Sequence, residues 1–186
     1  MAKHLIFSDS ISIDIIKNNE LDNWILKNLE HYKKNNQSVT VSNVGGFQSP
    51  EINDPQILKI LGNHIVESMK DFTEKNMTYR LMNLWINENY KFCYNDYHVH
   101  SGSDFSGVYY VKTPKNSGNL VFHRTSSINY TSLNNFFSNE DTNQLFYVEP
   151  KKGMLVIFPS LLAHSVRPNL SDDSRVSISF NFNIED

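Results

Sequence analysis

The sequence predicts a mainly β fold, a sandwich or jelly roll with two N-terminal helices packed on one sheet. Beyond Lys75 the chain breaks into short segments of strand character: Thr78 to Asn87, Tyr90 to His100, Gly107 to Lys112, Asn119 to His123, Gln144 to Val148, Met154 to Phe158 and Arg175 to Ile184. Turn-forming runs separate several of them, at 114–118, 149–153 and 168–173. Upstream, two stretches instead repeat apolar residues at helical spacing. Many short strands after a pair of amphipathic helices make a layered β core with helices on one face.

In chain order, Leu5 to Ile16 mixes β-branched residues with Ser and Asp and reads as a short strand entering a turn. Leu21, Trp24, Ile25, Leu26, Leu29 and Tyr32 then recur on one helical face, and the polar run Lys33 to Ser38 ends that helix. Val39 to Val44 is a strand candidate, followed by Gly45-Gly46, a turn in which positive φ costs nothing. Asp54 caps a second helix and Pro55 starts it, with Ile57, Leu58, Ile60, Leu61, Ile65 and Met69 as its apolar face. Thr125 to Asn143 is polar and aperiodic, a long loop expected to cover one end as a lid. Residues 1–186 are read as one domain, a partly helical segment 1–76 leading into a β core 77–186.

Composition narrows the class. Hydrophobic content of 39% with 20% charged residues is that of an ordinary globular protein, and a net charge of −3 offers no reason to expect nucleic acid. The single cysteine, Cys93, excludes an internal disulfide framework and suits a reducing compartment. Charged and polar residues interrupt Met1 to Asp14, so no signal peptide is expected there, and Met154 to Ala163 is too short to span a bilayer. A cytoplasmic protein is the expectation.

The chemistry starts at Tyr97-His98-Val99-His100. On a strand His98 and His100 share a face, roughly 6.5–7 Å apart, so both imidazoles reach one metal ion. His164, just past the Met154 to Phe158 strand, is the candidate third ligand, because a jelly roll places sequence-distant strands side by side. Three ligands on one side of a metal leave positions for substrate and oxygen. The last strand alternates without a break, with Val176, Ile178, Phe180 and Phe182 on one face and Arg175, Ser177, Ser179 and Asn181 on the other. Arg175 and Ser177 together form a carboxylate clamp, a planar fork with an added hydroxyl donor.

These parts, in this order, resemble the 2-oxoglutarate- and Fe(II)-dependent oxygenases, which are built on a double-stranded β-helix, the cupin-like jelly roll. More narrowly the chain is similar to a bacterial and phage branch. The residues carrying the likeness are His98-Val99-His100, Ser106-Gly107-Val108-Tyr109-Tyr110, Gly118-Asn119-Leu120-Val121-Phe122, the strand Gly153 to Ser160, His164-Ser165-Val166-Arg167-Pro168 and Arg175 to Asn181. The run Ser42 to Ser49 and Trp85 also match.

The resemblance implies a jelly-roll dioxygenase that uses Fe(II), 2-oxoglutarate and O2, releases succinate and CO2, and hydroxylates a primary substrate it does not identify. It implies that His98 and His164 bind iron, that Arg175 with Ser177 holds the distal carboxylate of 2-oxoglutarate, and that either Tyr109 or Tyr110 adds a hydrogen bond. Only one tyrosine can face the site, since neighbours on a strand point oppositely. Most of the superfamily has H-x-Asp or H-x-Glu where this chain has His98-Val99-His100. His100 is therefore the expected metal ligand, with Asp104 as the alternative. Two other functions compete: a three-histidine cupin-like dioxygenase that does not use 2-oxoglutarate, and a catalytically inactive jelly-roll binding module.

Overall fold

The computed structural model describes residues 9–70, 78–124 and 144–185, and its strands form two antiparallel sheets. In chain order the elements are β1 (Ser12–Ile15), α1 (Asn19–Asn35), β2 (Asn43–Val44), β3 (Phe47–Gln48), α2 (Pro55–Met69), β4 (Thr78–Asn89) and β5 (Tyr94–His98). They continue as β6 (Phe105–Lys112), β7 (Leu120–His123), β8 (Leu145–Val148), β9 (Met154–Pro159), β10 (His164–Val166) and β11 (Arg175–Glu185). The larger sheet runs β1-β9-β6-β11-β4-β3 and the smaller β2-β5-β10-β7-β8. Each mixes strands distant in sequence, the jelly-roll arrangement.

Both helices begin where their caps dictate. Asn18 accepts from the Leu21 N–H at 3.0 Å, with Glu20 and Asp22 in the first turn of α1 and Lys33 and Lys34 in its last, complementing the helix dipole. Asp54 accepts from the Gln56 N–H at 2.8 Å and Pro55 opens α2. Leu21, Ile25 and Leu29 of α1 and Ile57, Leu61, Ile65 and Met69 of α2 bury against one face of the larger sheet. That face is supplied by Leu84 and Ile86 of β4, Tyr109 and Val111 of β6, Leu155 and Ile157 of β9, and the apolar residues of β11. Alternate residues of β6 and β9 (Val108, Tyr110, Met154, Val156 and Phe158) turn inward and meet Leu120, Phe122 and Val148 of the smaller sheet in a second core. Gly107 of β6 is required by close approach, since a Cβ there would stand 2.3 Å from the Phe180 ring.

The expected strand Val39 to Val44 is cut down to β2. Residues 38–42 instead fold back, the Val39 N–H donating to Gln48 O at 3.0 Å and the Gln48 N–H to Ser38 Oγ at 3.0 Å across the Gly45-Gly46 turn, where φ is 70° and 71°. The strand expected from Tyr90 starts at Tyr94 because residues 90–93 form a turn, with Phe92 at φ 68° and Cys93 N–H bonded to Tyr90 O. It ends at His98 rather than His100, and His164 opens a strand of its own, β10. The expected lid, Thr125 to Asn143, and the boundary between the segments 1–76 and 77–186 lie outside the described residues. Among the described residues no helix is long and apolar enough to cross a membrane.

Candidate active site

The site lies between the two sheets. β5 and β10 are antiparallel neighbours and their register sets His98 directly opposite His164. Opposed side chains on such a pair are close enough to share a ligand, and the two rings stand 4.2 Å apart between centroids. His100 lies beyond the end of β5. Its N–H donates to Ser160 O at 2.9 Å, and its ring sits 5.0 Å from that of His98 and 5.1 Å from that of His164. One ring nitrogen from each of the three lies within 4.8 Å of the others.

The far side of two rings fixes their protons. His98 Nδ1 is 2.7 Å from Asp96 O and His164 Nδ1 is 2.8 Å from Leu162 O. A carbonyl only accepts, so each Nδ1 carries the proton and each Nε2 presents a lone pair, the arrangement that orients a metal-binding imidazole. His164 Nε2 faces His100 Nε2 at 3.3 Å. Burial lowers the pKa of all three. His98 falls below the ordinary histidine range, His100 is pushed down to about 4 by burial and then by the charge of His98, and His164 to about 3 for the same two leading reasons. Neutral imidazoles converging on one point are the donor set a divalent transition metal requires, and imidazole suits iron. The residues fit the metal.

Asp104, the alternative to His100, does not join the cluster. Its Oδ2 accepts from the Ile184 N–H at 2.9 Å and its own N–H donates to Asn183 Oδ1 at 2.9 Å, so the turn after Gly102 carries it to the end of β11. His123, near the same strands, turns to Ser165 Oγ at 2.8 Å and to the Tyr97 ring instead of the cavity.

A cavity of about 390 Å³ connects the histidines to the inner face of the larger sheet, where Arg175, Ser177 and Tyr110 line it. Ser177 is paired with Tyr110 on one side and Asn87 on the other, so the three sit on one patch of sheet. Arg175 is only 2% exposed, yet among the described residues no carboxylate pairs with it. Its Nη1 donates to Ser117 O at 2.6 Å and Gly118 O at 3.0 Å, which fixes the guanidinium plane. Burial lowers the pKa of Arg175 while Tyr110 and Cys93 act the other way; a guanidinium stays protonated all the same. A buried cation whose other donors open onto a cavity fits the carboxylate of a small ligand.

Tyr109 points away. It lies in the helix-facing core and donates to Asp22 Oδ1 at 2.8 Å, so of the two tyrosines only Tyr110 reaches the cavity. Beyond Arg175 and Ser177 the inner face continues as Ser179 and Asn181 of β11 and Asn83, Trp85 and Asn87 of β4. The asparagines of β4 escaped the sequence reading, although Asn83-Leu84-Trp85-Ile86-Asn87 alternates in the same way as β11.

The family model described as "Putative 2OG-Fe(II) oxygenase" matches residues 83–181. No curated protein matches the sequence. Among solved structures the chain is similar to a Pseudomonas putida prolyl-4-hydroxylase, with 13% identity, a TM-score of 0.62 and coverage of 95% of this chain and 93% of that one. HygX from Streptomyces hygroscopicus, solved with nickel and 2-oxoglutarate bound, is 11% identical with a TM-score of 0.63 over 94% of this chain and 82% of its own. A Trichoplax adhaerens prolyl hydroxylase in complex with a hypoxia inducible factor oxygen degradation domain peptide fragment is 14% identical, with a TM-score of 0.64 over 93% and 83%. At these identities the structures establish the jelly-roll fold alone.

Proposed function

The chain belongs to the 2OG-Fe(II) oxygenase family, and on that premise we propose that His98, His100 and His164 hold the iron while Arg175, Ser177 and Tyr110 receive 2-oxoglutarate. One observation carries the reading: a single cavity has three neutral imidazoles at one place and, at another, a buried arginine that no carboxylate of the described residues pairs with. A three-histidine dioxygenase without 2-oxoglutarate would leave that cation buried for no ligand, at a cost of several kcal/mol by order of magnitude.

Each residue has a definite task. The Asp96 and Leu162 carbonyls keep the Nδ1 protons of His98 and His164, so both present Nε2 to the metal. The Ser117 and Gly118 carbonyls hold one arm of Arg175, leaving its remaining N–H groups for the distal carboxylate. Ser177 and Tyr110 add hydroxyl donors beside it, in surroundings where little water competes. Trp85, tilted against His100 with centroids 6.1 Å apart, walls the metal side of the cavity. Bound Fe(II) with 2-oxoglutarate and O2 supplies the oxidising power for a C–H bond of the primary substrate, with succinate and CO2 as co-products. Hydroxylation is the outcome we assign.

The helices share their core with the larger sheet, which supports one domain over 1–186. The free thiol of Cys93, buried and unpaired with another cysteine, supports a cytoplasmic setting. The test is succinate release from 2-oxoglutarate by the iron-loaded protein in air, with and without a panel of metabolites and peptides. Succinate formed even without an added substrate is the expected result. No turnover together with no metal-dependent 2-oxoglutarate binding would overturn the reading.

A further inference from the structure

His98 and His164 are held by a strand ladder, but His100 is not. It follows the end of β5 and leads into the turn that closes at Asp104, so something other than sheet pairing must hold its ring beside the other two. Three hydrogen bonds join Ser160 to the segment from His100 to Asp104. The serine sits in the link between β9 and β10, four positions before His164, and is fully buried. Its carbonyl accepts the His100 N–H at 2.9 Å and its own N–H donates to Asp104 O at 2.9 Å, bracketing the turn at both ends.

The Ser160 hydroxyl completes the bracket. It is 2.7 Å from Ser106 Oγ and 2.9 Å from Ser103 Oγ. Ser106 donates its proton to Asn181 Oδ1 at 2.7 Å, and Asn181 Nδ2 donates to Asn83 Oδ1 at 2.6 Å. The Ser106 proton is thus committed, so the bond between the two serines must be donated by Ser160, which leaves Ser103 as donor to Ser160. The bonds run one way, from Ser103 in the ligand turn through Ser160 and Ser106 to the carboxamides of β11 and β4. A buried hydroxyl with only one partner could be structural filler; this one is bonded both to the turn and to the larger sheet.

We propose that Ser160 is a positioning residue for His100, tying the turn that carries this histidine both to the link that carries His164 and to the inner wall of the larger sheet. The assignment rests on His100 being a metal ligand. Its consequence is that a histidine outside the strand ladder reaches the metal with its backbone already in place.

The test is a double-mutant cycle read by Co(II) titration of the full chain, followed by calorimetry and by visible absorption, which reports the coordination of cobalt. Ser160→Ala keeps both backbone bonds and removes the hydroxyl's ties to Ser103 and Ser106, and is expected to weaken Co(II) binding roughly tenfold, the low end for groups that orient a ligand. Its cobalt spectrum should shift toward that of His100→Ala. In the His100→Ala background the same change should alter affinity by less than about twofold, because the ligand it positions is gone. Wild-type affinity in His100→Ala would remove the ligand reading and this assignment with it. Weaker binding in His100→Ala with wild-type binding in Ser160→Ala would overturn the assignment alone. An equal loss in both backgrounds would also overturn it, marking Ser160 as a residue of general stability. Should Ser160→Ala not fold, Ser103→Ala takes its place in the same cycle and is judged by the same outcomes.

Discussion

The two faces of the larger sheet are made by the same strands and have opposite characters. Along β11, Val176, Ile178, Phe180 and Phe182 are at most 2% exposed and pack beneath the helices, while Arg175, Ser177, Ser179 and Asn181 line the cavity. β4 repeats the division, with Leu84 and Ile86 on the helix face and Asn83, Trp85 and Asn87 on the cavity face. β6 splits adjacent tyrosines the same way. Burying each large apolar side chain on the helix face contributes about 1.5–3 kcal/mol, whereas the polar residues opposite contribute little net stability and must be satisfied by one another or by a ligand. Stability and chemistry are thus assigned to opposite faces of shared backbone, and substitutions one residue apart should separate them.

The widest separation is expected between Phe182 and its neighbour Asn181. Phe182→Ala should destabilise the fold by about 3–5 kcal/mol in denaturant unfolding, with any loss of activity following unfolding. A stability loss under about 0.5 kcal/mol would break the division of labour, since that is the scale of an ordinary surface change. His164→Ala should cost more metal affinity than the roughly 100-fold upper range for outer partners, while the unfolding midpoint of the metal-free protein hardly moves; titration with an inert divalent metal reads the first and thermal unfolding the second.

Arg175→Met sharpens the contrast further. It also takes the donor from the Ser117 and Gly118 carbonyls, which should cost about 1–3 kcal/mol of stability, and loss of the cation should weaken 2-oxoglutarate binding by about 2–5 kcal/mol. Unchanged co-substrate affinity would refute the clamp. The tyrosine pair gives a smaller effect with opposite readouts. Tyr109→Phe should cost about 1.5–3 kcal/mol of stability through its bond to Asp22 and leave the KM for 2-oxoglutarate alone. Tyr110→Phe should raise that KM severalfold and spare stability.

The smallest effect concerns acid. Glu88, on the helix face of β4, accepts from Lys33 at 2.7 Å, from Ser174 at 2.8 Å and from Tyr90 at 2.9 Å. Burial alone would raise its pKa, but these three bonds and the Lys33 charge outweigh it and hold the carboxyl below the ordinary glutamate range. A depressed carboxylate contributes stability above its unfolded pKa and loses it as pH falls through the folded value. Denaturant midpoints should therefore decline below the ordinary glutamate range, and less steeply in Glu88→Gln.

Much of this was legible along the chain because both codes are short-range. The period of two in β11 places Arg175 and Ser177 together whatever the partner strands are, and the Asp54-Pro55 start of α2 needs no tertiary context. His98 and Arg175 could be singled out from local pattern and spacing. The pocket tyrosine could not, because alternation says that Tyr109 and Tyr110 differ without saying which way the helices lie. That His100 rather than Asp104 joins the histidine cluster also depended on distant groups: Ser160 O accepts the N–H of the first, and the C-terminal end of β11 claims the second.

By itself, then, the sequence determined the mainly β class, the amphipathic helices, the two-faced last strand and the residue types of the proposed metal and carboxylate site, since these follow from local periodicity and side-chain chemistry. Only the tertiary structure decided that His98 and His164 stand opposite one another, that His100 completes the set from outside the ladder, and that Tyr110 rather than Tyr109 borders Arg175. Those outcomes come from antiparallel register between positions 66 and 67 residues apart and from hydrogen bonds across the sheets, which no local pattern encodes.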